Sequence, residues 1–211
     1  MAHRNKAITK DVQDSLKPLH VLQDFIAGNA RFVRDETHSV DYKALITQTT
    51  NGQHPKAVVL SCIDSRVPVE IIFDQTIGDV FVARVAGNFE NIDILGSMEY
   101  ACKVAGSKLI FILGHESCGA IKAACDQVKL GNITSMLHNI QPAVKKSEGE
   151  VSGDHNSSNT AFVDKTIENN VQLTIQRIRE KSPILNEMEK TGEIKIVGGV
   201  YHISNGKVSI L

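Results

Sequence analysis

The chain has 211 residues, with 23 Lys plus Arg against 24 Asp plus Glu and a formal net charge of −1. That balance excludes a basic nucleic-acid surface and a polybasic membrane surface. With 42% hydrophobic residues the chain has enough apolar material for one core, and four Cys are too few for a disulfide scaffold, which leaves thiols as ligands, nucleophiles or buried side chains.

Residues 1–17 are polar, with Val12 and Leu16 as their only anchors, and they lack the apolar stretch of a secretory signal. A cytoplasmic, reducing location is the expectation. Pro18 suits the first position of a helix. Leu19, Leu22, Phe25, Ile26 and Phe32 then recur at helical spacing, predicting an amino-terminal helical arm over residues 1–34. Its apolar face can cover the core or dock on a partner subunit.

Three short β-branched runs follow, at 56–62 (KAVVLSC), 80–84 (VFVAR) and 108–113 (KLIFIL). Such runs predict strands buried on both faces. The longest apolar run, Leu109 to Leu113, is far too short to span a membrane. Helices are predicted around 92–101, over 120–129 and over 160–181, the last with Phe162, Ile167, Val171, Ile175 and Ile178 on one stripe. Residues 145–159 are rich in Gly, Ser and Asn and read as a surface loop. A fourth strand region, 194–203, is interrupted by Gly198-Gly199, and Val208 to Leu211 suits an edge strand. Alternating strands and helices predict an α/β fold with a mainly parallel central sheet flanked by helices. The chain reads as a single domain over 1–211, with its α/β core at 56–204.

Two chemistry-bearing clusters each follow a predicted strand: Ser61-Cys62-Ile63-Asp64-Ser65-Arg66, and Gly114-His115-Glu116-Ser117-Cys118-Gly119. In an open parallel sheet, ligands gather beyond the carboxyl ends of the strands, so both clusters are expected at one sheet edge. Cys62, His115 and Cys118 then form a Cys₂His set suited to Zn²⁺, with a fourth position free for water. Asp64 stays ionised beside a cation and a guanidinium. It can accept the hydrogen of a zinc-bound hydroxide while Arg66 holds it bidentately and off the metal.

Blander readings exist for each feature. Two buried cysteines with a satisfied core histidine account for the first set, and a surface salt bridge accounts for Asp64 and Arg66. Other cysteine chemistries fit less well. Arg66 follows Cys62 too closely for a phosphatase loop, there is no C-x-x-C pair, and a cysteine hydrolase built on Cys62 and His115 leaves Cys118 unexplained. Val85-Ala86-Gly87-Asn88 is not a dinucleotide fingerprint. Cys102 and Cys125 fall in no ligand motif and read as buried helix residues.

The segments CIDSR, FVARVAGN, GSMEYA and GHESCGA, in this order and spacing, resemble the β-class carbonic anhydrases. The resemblance runs from about Leu19 to Tyr201. It implies reversible hydration of carbon dioxide to bicarbonate by attack of zinc-bound hydroxide, with one Zn²⁺ per subunit and a homodimer or dimer of dimers. It implies Cys62, His115 and Cys118 as ligands and Asp64 and Arg66 as a catalytic dyad. Gln53 matches a substrate-binding glutamine that typically acts across the dimer interface. Phe81 and Tyr100 match pocket aromatics, although from sequence alone they are ordinary core residues. Ala86 matches a position often held by a larger aliphatic. Gly119 matches a backbone N–H donor to substrate, or simply eases a tight turn. Some members of the family close by making the aspartate a fourth zinc ligand. Some stabilise that form with bicarbonate on a Trp, Arg and Tyr set, for which this chain offers Arg84 and Tyr201 but Val59 in place of Trp. Substrates shaped like CO₂, such as CS₂ and COS, and a non-catalytic zinc protein are the competing classes.

Overall fold

The three β-branched runs become neighbouring strands. A computed structural model describes residues 3–211, so residues 1 and 2 of the polar leading stretch lie outside the described residues. In chain order the first elements are β1 (His3–Arg4), α1 (Lys10–Ser15), α2 (Pro18–Val33), β2 (Ser39–Val40) and α3 (Tyr42–Thr49). Then come β3 (Ala57–Ser61), α4 (Val69–Ile72), β4 (Val80–Arg84), α5 (Ile92–Glu99) and β5 (Leu109–His115). The remainder is α6 (Gly119–Cys125), α7 (Gly131–Leu137), α8 (Gln141–Glu148), α9 (Thr160–Lys181), α10 (Pro183–Lys190), β6 (Lys195–Tyr201) and β7 (Val208–Ile210).

The central sheet has the order β4-β3-β5-β6-β7, parallel except for β7, while β1 and β2 form a separate small parallel pair. From β3 the chain runs to β4 on one side and then returns to β5 on the other. The carboxyl ends of β3 and β5 therefore flank a topological switch point, the usual ligand crevice of such sheets. Side chains alternate between faces as a strand requires. Val58, Leu60, Ile110 and Ile112 pack in one apolar cluster with Val171 and Ile178 of α9. Val59, Leu109, Phe111 and Leu113 pack on Val21 and Phe25 of α2 in another. Phe25, Phe73 and Phe111 meet at ring-centroid distances of 4.7 to 6.0 Å.

Several sequence expectations shift. Gly198 and Gly199 do not interrupt the fourth strand; β6 runs through them. A Cβ on Gly198 would come within 2.3 Å of Val171 Cγ1, so glycine is what lets α9 lie against the strand. The helix expected over 120–129 is the shorter α6, and the expected loop begins only after α8, at residue 149. In the leading segment Val12 is half exposed, and among the described residues the buried one is Gln13, whose Nε2 donates to the carbonyls of Pro55 and Ala105, both at 2.8 Å. Hydropathy could not reveal an anchor made of backbone carbonyls. On α2, Val21 and Phe25 are buried while Leu19 and Ile26 face outward, so its apolar stripe is wider than this chain covers. After α5 the helix widens into a π turn at Tyr100–Val104. Among the described residues, no helix is long and apolar enough to cross a membrane.

Candidate metal centre

The two adjacent strand ends bring the motifs together. Cys62 is the first residue beyond β3 and His115 the last of β5, while Cys118 caps the start of α6. Ser117 adopts a left-handed φ of 55° between them, which turns the chain so that residues 115 and 118 face one point. The ligand atoms of Cys62, His115 and Cys118 all lie within 4.8 Å of one another, and all three residues are buried. The two sulfurs are 3.9 Å apart.

The histidine is oriented from behind. His115 Nδ1 donates to the carbonyl of Glu116 at 2.8 Å, which leaves the lone pair on Nε2. That Nε2 is buried and, among the described residues, has no hydrogen-bond partner. An orphaned buried acceptor is costly unless something else takes its lone pair. Two thiols and one imidazole nitrogen, closely spaced and with a free lone pair, fit a metal of zinc's softness. The Cys62 thiol is held well below the usual thiol range, chiefly by its hydrogen bond with Cys118 and then by the nearby His115 ring and the Gly87 N–H, against the effect of burial. The same shared bond, with burial, pushes Cys118 up.

Asp64 sits at the rim. Arg66 donates to it through Nε at 2.9 Å, through a terminal nitrogen at 2.8 Å and through its backbone N–H at 2.9 Å. These bonds hold the Asp64 carboxyl well below the usual carboxylate range, although burial acts against them. Asp64 Oδ2 is 3.9 Å from His115 Nε2, which puts the carboxylate beside the cluster. Arg84, at the end of β4, donates to the carbonyls of Cys62 (2.9 Å) and Asp64 (2.6 Å), pinning the loop between them. The Gly87 N–H points at Cys62 Sγ at 3.4 Å, and the Gly87 carbonyl accepts from Asn170 of α9 at 2.8 Å. Sequence reasoning did not single out Gly87 or Asn170. The only signal was a glycine just past a strand end.

The remaining predicted residues divide. Ala86 neighbours Gly87 and is half-buried close to the cluster. Gly119 follows Cys118 at the start of α6, and a Cβ there would meet nothing within 4 Å, so the tight turn is made by Ser117 rather than by this glycine. Phe81 and Tyr100 meet edge to face at 6.3 Å and line a cleft of about 710 Å³ with Val58 and Ile92, apart from the three metal-site residues. Gln53 is exposed and precedes β3, at the opposite end of the strand from Cys62. Within one chain, the structure does not bring Gln53, Phe81 or Tyr100 to the cluster. Cys102 and Cys125 are buried in helical segments as expected, and burial pushes Cys102 up to about 12.

Fold and site define an α/β protein with a candidate Cys₂His metal centre at its sheet switch point. A family model described as carbonic anhydrase matches residues 57–208. A carbonic anhydrase of Mycolicibacterium smegmatis is 34% identical over 192 residues, covering 87% of this chain and 88% of its own length. A carbonic anhydrase of Pseudomonas aeruginosa is 32% identical over 203 residues, covering 90% and 87% respectively. The crystal structure of the β-carbonic anhydrase CafA of Aspergillus fumigatus superposes with a TM-score of 0.70 at 25% identity, over 92% of this chain and 89% of that one. The chain belongs to the carbonic anhydrase family, in its β class, and is an enzyme of that kind.

Proposed function

We propose that the chain is a zinc enzyme that interconverts CO₂ and bicarbonate, with Cys62, His115 and Cys118 as ligands and Asp64 and Arg66 as its catalytic dyad. The observation that carries this reading is the convergence of three donors within 4.8 Å, one of them the unpartnered His115 Nε2, beside an Asp64 held bidentately. Bound there, Zn²⁺ would acidify a water and so supply a nucleophile, less strongly than with three neutral ligands because two thiolates offset its charge.

The chain's own groups do the rest. Asp64, ionised and fixed by Arg66, accepts a hydrogen at its carboxylate and thereby aims the attacking lone pair at carbon. Arg66 keeps that carboxylate turned from the ligands; releasing it would let Asp64 become a fourth ligand and close the site. The small apolar side chain of Ala86, next to Gly87, suits an uncharged substrate. The Gly119 N–H, at the start of α6, is assigned as a donor to substrate oxygen. Proton release to solvent is assigned to no residue.

Gln53 supports an oligomeric site. It precedes β3, at the far end of that strand from its own cluster, so a second copy of this chain must present it, together with the Phe81 and Tyr100 wall. The outward Leu19 and Ile26 of α2 suit the same association. Two β-carbonic anhydrases of Sordaria macrospora are described as tetrameric, and a dimer or dimer of dimers is proposed here. The domain is taken as one unit over 1–211, with the arm 1–34 outside the core 56–204. A reducing cytoplasm suits the two thiolate ligands.

The test is stopped-flow CO₂ hydration on metal-replete protein with zinc measured in parallel. Turnover rising toward alkaline pH with one zinc per subunit is expected; stoichiometric zinc without hydration overturns the reading.

A further inference from the structure

The turn from His115 to Cys118 carries two of the three ligands, and its position depends on residues outside the motif. Glu116 lies at the centre of that support. Its carbonyl takes the His115 Nδ1 proton at 2.8 Å, and its N–H donates to the Tyr201 carbonyl at 2.9 Å, at the end of β6. Its side chain then reaches the loop that follows β6. Oε1 bonds His202 Nδ1 at 2.8 Å, and Oε2 accepts the Ser204 N–H at 3.1 Å. His202 continues outward, with Nε2 2.8 Å from Ser209 Oγ on β7. A carboxylate only accepts, so His202 Nδ1 carries a proton toward Glu116.

The result is a continuous line from Ser209 through His202 and Glu116 to the ring of His115. It joins segments 86 and 88 positions apart in sequence. The turn has reason to need such support, because Ser117 holds a left-handed φ that non-glycine residues seldom adopt without surrounding constraint. The loop from His202 to Ser209 has a firm base of its own. His202 N–H bonds the Lys207 carbonyl at 2.8 Å, and Asn29 of α2 accepts the Val208 N–H at 2.8 Å.

We propose that Glu116 and His202 are positioning residues of the metal centre: they brace the ligand-bearing turn against the β6–β7 loop, so that His115 Nε2 and Cys118 Sγ are preset before the ion arrives. Outer-shell partners of metal-bound histidines commonly matter this much, through ring orientation and ligand basicity. The proposal rests on the zinc reading above. It assigns the two residues no contact with substrate.

The experiment compares wild type with Glu116→Ala, Glu116→Gln, His202→Gln and Ser209→Ala. Zinc release to a chromogenic chelator is timed, the visible absorption of the Co²⁺-substituted protein is recorded, and the metal-free proteins are melted. Glu116→Ala is expected to lose zinc about 10- to 100-fold faster and to shift the cobalt bands. Glu116→Gln, which keeps a carbonyl acceptor, should recover part of that loss. His202→Gln should fall between them, and Ser209→Ala nearest wild type. If Glu116→Ala is too unstable to purify, the His202→Gln result decides. A lower melting temperature with unchanged zinc release and cobalt spectrum overturns the proposal, because the contact is then merely structural. Variants identical to a zinc-replete wild type in every measurement overturn it as well. A wild type that takes up no stoichiometric zinc overturns the zinc reading and the brace with it.

Discussion

The two ends of strand β3 are built on different plans. At its carboxyl end, Cys62 meets His115 and Cys118 inside one chain, all three candidate ligands are buried, and Arg84, Gly87 and the Glu116 carbonyl support them. At its amino end, Gln53 is exposed, and the flank of β4 opens into the cleft walled by Phe81 and Tyr100, with Ile92 80% exposed. The first region is finished by folding; under the proposal, the second is finished by association. On that proposal, the difference teaches that metal affinity and substrate handling separate in this molecule. A metal's ligands cannot tolerate a variable distance, which suits three donors placed at adjacent strand ends. A substrate hydrogen bond can be supplied by a neighbour.

The largest expected effect falls on the finished end. Cys62→Ser should abolish stoichiometric zinc and lower kcat/KM by on the order of 10³-fold or more, since a metal supplies several kcal/mol of transition-state stabilisation. Zinc content and CO₂ hydration are measured together; retained zinc would break the ligand assignment. Asp64→Asn comes next. Zinc should stay bound while kcat/KM falls about 10²- to 10⁴-fold, the range for a positioned proton acceptor. Zinc lost instead would make Asp64 chiefly a ligand. Because Arg66 holds the Asp64 carboxyl below the usual range, wild-type activity should show no acid limb from its protonation. The pH profile should instead rise from neutral toward alkaline values.

Gln53→Ala addresses the unfinished end. Zinc should be unchanged and kcat/KM should drop about 10-fold, the worth of one lost hydrogen bond at the strong end of the neutral range. Co-assembling Gln53→Ala with Cys62→Ser subunits sharpens the comparison. A mixed dimer carries one site with its own zinc and a partner's Gln53, so that site should regain wild-type efficiency. No regain in verified mixed dimers means that Gln53 does not act across subunits.

A smaller effect concerns stability alone. Asp74 accepts from Arg31 Nε and pairs with His38 Nδ1, each at 2.5 Å, tying α2 and the following loop to the end of α4. Burial opposes ionisation of Asp74, but these bonds outweigh it and its pKa is lowered. A folded pKa below the unfolded one gives stability that is present above the ordinary carboxylate range and is lost as pH falls through the folded value. Asp74→Asn should cost about 2 kcal/mol at neutral pH and flatten the acid side of a stability–pH curve. Denaturant titrations at several pH values check this, and an unchanged acid slope would remove Asp74 from the account. The smallest effect expected is no effect. Val59 is fully buried where a Trp would be needed, and Arg84 is engaged by the Cys62 and Asp64 carbonyls. Bicarbonate should therefore give no sigmoidal inhibition; sigmoidal inhibition that Arg84→Ala abolishes would contradict this.

Some of this was legible in the chain itself. Buried parallel strands announce themselves as continuous β-branched runs, and a motif placed directly after such a run lies at a strand's carboxyl end whatever the details of packing. Cys62, Asp64, Arg66, His115 and Cys118 are singled out that way, because they fall in two short segments, and the structure brings them together. The tertiary structure decided whatever depends on segments distant in sequence meeting in space. Gln13 is an anchor because the carbonyls of Pro55 and Ala105 happen to converge on it. Gly198 and Gly199 belong to a strand rather than a break because α9 and β7 press against them. Glu116 matters because His202 and Ser204 return to it from the far end of the chain. Residue types and periodicity determined which atoms could hold a metal and roughly where. The spacing of those atoms, the bonds that aim them and the end of the sheet left open were set by packing, since hydrogen bonds between distant segments leave no periodic trace in a sequence.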